Sequence, residues 1–179
     1  MTTTTTTTTT QLKQISRAAI PAALAKAEKY RLLNEPEQAE SICRDVLAVD
    51  AKNQPALVAL VLALTDQFRA SSNTAVREAE TALAGVDGAY ERVYYAGIIR
   101  ERWAKALLVA GDPGHQAYEW LRDAMRLYEE ADPLEPPGSD DAVLRWNSCA
   151  RVIERERLHA EPEHGAVSGI DAGDAAPRR

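Results

Sequence analysis

Between residues 55 and 64 the chain reads PALVALVLAL, and a helix wound through this run has no polar side to turn to water. A helix on the surface of a globular protein keeps one apolar stripe and one charged face, so an all-round apolar helix must be covered by neighbours on several sides. The run is too short to cross a bilayer, which takes roughly 18 to 20 apolar residues. It therefore requires either a central place among packed helices or a partner that covers what the chain leaves open.

The sequence on both sides is helix-forming. Ala, Leu, Glu, Arg and Gln dominate, valines never alternate at period two over a useful length, and turn-forming clusters fall at 34–36, 50–54, 71–73, 85–88, 111–114 and 132–139. The spacing predicts seven helices, over 21–33, 37–49, 54–69, 74–84, 89–110, 115–131 and 140–158. A short extra helix over 11–19 is expected to end before Pro21, which suits the first turn of the helix that follows. Residues 2–10 are unbroken threonine, and 159–179 is rich in Gly, Pro, Ala and Asp without any period. Neither stretch can bury enough to offset its ordering entropy. The expected layout is a disordered tail over 1–10, one helical domain over 11–158, and a disordered tail over 159–179.

Small residues recur at one spacing in alternate helices: Ala39, Cys43, Val46 and Leu47, then Ala75, Ala79, Ala82 and Leu83, then Ala117, Leu121, Ala124 and Met125. Steps of four and three place each set on one helical face, and alanine lets a neighbouring helix come close. Each of these helices follows one with its own small crossing residue: Ala27, Ala63 and Ala104. Three antiparallel helix hairpins result. The last helix, 140–158, carries Val143, Trp146, Cys149, Ala150 and Ile153 on one stripe, as a helix closing a stack would. Ser139 is its expected N-cap, and Asp140 and Asp141 suit the positive end of its dipole.

On these residues the chain resembles the tetratricopeptide repeat family, whose units of about 34 residues stack as helix hairpins. In the first unit Ala27, Tyr30, Ala39, Val46 and Leu47 match the family's small, aromatic, alanine, small and leucine positions. Ala51 stands where the family has proline, and no aromatic lies three residues after Ala63. The resemblance spans about 22–131 and implies an all-α fold, stacked as a short right-handed superhelix with 140–158 as its cap. It implies a concave groove lined by the first helix of each hairpin, here Leu24, Glu28 and Arg31, then Leu60, Val61 and Leu64, then Ile98, Arg102 and Lys105. Some members grip a partner's terminal carboxylates, but of the matching positions Leu24, Glu28, Val61, Ile98 and Arg102 only the last keeps a suitable residue.

The residue types argue against several kinds of chemistry. A formal charge of -6 and a pI near 5.2 do not suit a nucleic-acid binder, which needs a clustered basic surface. Cys43 and Cys149 lie in amphipathic patterns without ligand-spaced partners, so packing, a reduced cytoplasmic setting and no metal are expected. His115, His159 and His164 have no companion three or four residues on. Glu129-Glu130 and Asp140-Asp141 point apart on a helix, and GDPG at 111–114 lacks the Lys and Ser or Thr of a phosphate loop. No cofactor and no membrane insertion are expected.

The reading is a non-enzymatic adaptor or scaffold that docks a peptide or helix of another protein in an apolar groove with a basic edge. Two alternatives stand beside it. One is a self-associating repeat built through Tyr94, Tyr95, Tyr118 and Trp120, since adjacent aromatics cannot all face inward. The other is a small all-helical enzyme using carboxylates such as Glu101 or Glu119.

Overall fold

The computed structural model describes residues 11–69 and 74–161. The threonine run, and the expected C-terminal tail beyond residue 161, lie outside the described residues. Within them the chain is all-helical, with seven α-helices and no strand: α1 (Ile20–Leu32), α2 (Pro36–Val49), α3 (Gln54–Asp66), α4 (Thr74–Leu83), α5 (Ala89–Ala110), α6 (Gly114–Ala131) and α7 (Asp141–Glu156).

The helix starts follow from local chemistry. Pro21, Pro36 and Pro55 sit in the first turns of α1, α2 and α3, where the missing N–H costs nothing. Asn53 caps α3, its side chain accepting the Ala56 N–H at 3.1 Å. Gly111, at φ 79°, ends α5 in the left-handed conformation that glycine adopts without strain. The expected helix over 11–19 does not form. A single 3-10 turn, Arg17–Ala19, leads straight into α1, because this segment is largely exposed and has little burial to offset a helix nucleus. Helix α3 stops three residues short of its expected end at 69.

Each helix packs on the next along the chain, and α1 also packs on α3 and α3 on α5. The crossing residues Ala27, Ala63 and Ala104 are completely buried, as are Ala39, Cys43, Val46, Ala79, Ala117, Leu121 and Ala124 from the small-residue faces. α5 and α6 come close at Gly97 of α5, where an added Cβ would lie 2.6 Å from Cε1 of Tyr128 on α6. Only glycine lets that ring lie against the α5 backbone.

Helix α7 covers α6, but its stripe is rotated from the expected one. Ala142, Cys149 and Val152 are buried, Trp146, Ala150 and Ile153 are partly buried, and Val143 is exposed. Ser139 is not the cap of α7. Glu135 takes that role: its Oε1 accepts the N–H groups of Asp141 at 2.7 Å and Ala142 at 3.4 Å, together with the hydroxyls of Ser139 at 2.8 Å and Tyr90 at 3.0 Å. Burial alone would raise the Glu135 pKa, and these four hydrogen bonds outweigh it and lower it.

Candidate docking face

Helix α3 has a solvent side after all, and it is not the expected one. Leu60, Val61 and Leu64 are buried in the chain's own core, and so is Ile98 of α5. Four of the expected apolar groove positions are thus part of the core. The half-buried residues of α3 are Gln54, Val58, Leu62 and Asp66, four residues apart along one line, with Ala59 beside them. On α1, Leu24 and Arg31 are half-buried and Glu28 is exposed, and on α5 Arg102 and Lys105 are half-buried.

Charge is concentrated along this face. Asp66 is shared by two arginines from neighbouring helices: Arg31 Nε donates to its Oδ2 at 2.7 Å, and Arg102 Nη1 bonds its Oδ1. The Arg102 guanidinium also donates to Thr65 Oγ1 at 2.7 Å and to the Leu62 carbonyl at 3.2 Å, which ties α5 to the C-terminal turn of α3. Burial lowers the pKa of Arg102; Asp66 and Glu101 oppose that, and the like charges of Arg31 and Arg145 reinforce it.

A second charged group lies beneath. Glu101 of α5 is fully buried and accepts from Tyr128 Oη at 2.7 Å, Lys105 Nζ at 2.5 Å and Arg145 Nη1 of α7 at 3.4 Å. Burial, followed by the negative charge of Glu101, pushes the Tyr128 phenol far up, so it remains a donor. Burial works against the charge of Arg145, but Glu101, Tyr94 and Tyr128 hold it on balance above its ordinary value. One carboxylate thereby joins α5, α6 and α7.

The aromatic residues of the alternative surface are largely engaged inside the chain. Tyr94 stacks on Tyr90 at 5.3 Å and meets Tyr95 at 5.3 Å and Tyr128 at 5.8 Å between ring centroids. Trp120 lies 6.4 Å from Trp103, with the Arg100 guanidinium 4.9 Å above its ring. Tyr118 is half-buried. Cys43 and Cys149 are free and buried, and burial pushes their thiols up to about 11 and about 12. Glu119 is exposed.

Among the described residues no group of three or more His, Cys, Asp and Glu is placed to hold a metal ion, and no helix is long and apolar enough to cross a membrane. The sequence matches no protein-family model, and no curated protein or solved structure matches it. The site is defined by its own residues: a half-buried line of Val58, Leu62 and Asp66 on α3, flanked by Arg31 of α1 and by Arg102 and Lys105 of α5.

Proposed function

We infer that the chain is a non-enzymatic docking module whose helix hairpins stack in the manner of tetratricopeptide repeats, and that it holds a segment of another protein against the face of α1, α3 and α5. The observation that carries this reading is the packing of alternate helices. The first helices of the hairpins, α1, α3 and α5, pack on one another, and no packing of similar extent joins α2, α4 and α6. A stack that is tight on one side and splayed on the other curves toward the tight side, and this supports reading α1, α3 and α5 as the inner layer of a solenoid. Inner layers of such stacks offer an extended surface made from several helices, suited to a peptide or helix rather than to a small substrate.

The contribution from apolar contact is smaller than the sequence suggests. With Leu60, Val61, Leu64 and Ile98 committed to the core, Val58 and Leu62 are what α3 has left to offer, beside the charged side chains of Arg31, Asp66 and Arg102. Glutamate at Val61 or Leu64 would unfold the chain and say nothing about docking. Leu62→Glu is the informative variant, because its side chain is only half-buried and Arg102 lies within reach of the new carboxylate. Affinity capture from the native host with wild type and with Leu62→Glu tests the reading, with circular dichroism as the folding control. A partner retained by wild type and lost by the folded variant is expected. Retention of the same partner by both would contradict docking on this face.

A further inference from the structure

At the C-terminal ends of α3 and α5 a cleft of about 650 Å³ opens, lined in part by Asp66, Phe68, Arg69, Arg102, Lys105 and Val109. In a chain with a net charge of -6, this cleft carries three cations and one carboxylate. The carboxylate is already committed. Both oxygens of Asp66 accept from arginines, one from Arg102 within the cleft and one from Arg31 outside it. The counter-charge of Lys105, Glu101, is fully buried beneath it, whereas the lysine side chain itself is 42 % exposed. Arg69 is exposed and, among the described residues, donates to its neighbouring Phe68 carbonyl at 3.1 Å. A guanidinium has five donors and an ammonium three, so among the described residues these contacts leave donors of Arg69 and Lys105 unused.

Beside these cations lies Val109, 90 % exposed on the last turn of α5. A β-branched apolar side chain held in water next to converging donors matches a ligand that pairs an aliphatic side chain with carboxylates. We propose that this cleft receives an acidic segment of the docked partner, with aspartate or glutamate side chains on Arg69, Arg102 and Lys105 and an aliphatic residue against Val109 and Phe68. The proposal rests on the docking reading above and adds the partner's chemistry. Charge pairs at this exposure contribute little each and mainly speed encounter and select sign, so binding falls as salt rises.

The test pans a random peptide library displayed on phage against the purified full chain and measures the recovered peptides by fluorescence anisotropy. Peptides carrying Asp or Glu beside Leu, Ile or Val are expected, with affinity that weakens in salt. Val109→Glu and Arg69→Gln alter exposed side chains, and circular dichroism checks that both fold; Val109→Glu is expected to weaken these peptides by about fivefold or more and Arg69→Gln by about two- to fivefold. Recovered peptides that lack acidic residues, or that bind Val109→Glu unchanged, would overturn the acidic cleft while leaving docking elsewhere on the inner face intact. Failure to recover any binding peptide would count against both the cleft and the docking reading.

Discussion

Tyr128 of α6 donates a 2.7 Å hydrogen bond to Glu101 of α5, where the carboxylate is fully buried and the phenol almost so. A buried carboxylate is tolerated only when paired and hydrogen-bonded. Removing the phenol hydroxyl leaves Glu101 with Lys105 and Arg145, so Tyr128→Phe is expected to cost about 1 to 3 kcal/mol. Glu101→Ala strips the partner from two cations and a phenol and is expected to cost about 3 to 5 kcal/mol. Urea unfolding of both single variants and the double variant checks this. A coupling energy near zero would show that the two groups do not stabilise each other.

Gly97→Ala sets two effects against each other. Alanine is favoured over glycine inside a helix by about 1 kcal/mol. The added methyl would meet the Tyr128 ring at 2.6 Å, and overpacking of this kind costs about 1 to 3 kcal/mol. Because Tyr128 is held by Glu101, the ring cannot swing away, and a net loss of stability is expected in thermal unfolding. A stabilised variant would mean that the α5–α6 crossing is looser than described.

Much of the fold could be read from the sequence, for a physical reason. Ala39, Ala75 and Ala117 begin faces whose other side is charged, so periodicity identifies the side on which most of the buried residues lie. Helix α3 offers no such contrast. With apolar residues all round, its register against α1 and α5 depends on what neighbours present, and Leu60, Val61 and Leu64 were as plausible on the groove as Val58 and Leu62. The role of Glu101 was hidden for another reason. Its partners Tyr128 and Arg145 lie 27 and 44 residues away, and no local pattern marks a buried carboxylate. The cap of α7 was missed because Glu135 reaches it from before the turn, six residues ahead of Asp141.

That cap has a pH signature. The folded pKa of Glu135 is lowered, so the unfolded chain binds the proton more tightly, and stability rises with pH through the carboxylate range. Its contribution is fully present above the unfolded carboxylate value and is lost as pH falls through the folded one. Glu135→Ala is expected to cost about 1 kcal/mol near neutral pH, the usual loss for a helix cap. The difference from wild type should shrink on acidification, and a difference independent of pH would show that the carboxylate charge has no part in the cap.

The thiols give a simple probe of the packed core. Cys43 and Cys149 are buried with pKa values pushed up to about 11 and about 12, so the nucleophilic thiolate is scarce and shielded at neutral pH. A thiol reagent at neutral pH should leave both unmodified in the native chain and modify both in denaturant. Rapid labelling of Cys149 alone would mean that α7 lifts from α6 readily.

The central claim is that a partner lies against α1, α3 and α5, and hydrogen-exchange mass spectrometry of the captured complex tests it most directly. Exchange is compared for free and bound chain, with helix-resolved peptides from both layers. New protection confined to α1, α3 and α5, and greatest around Leu62, Asp66 and Arg102, is the predicted result. Protection concentrated on α2, α4 and α6, with α3 and α5 unchanged, would contradict it.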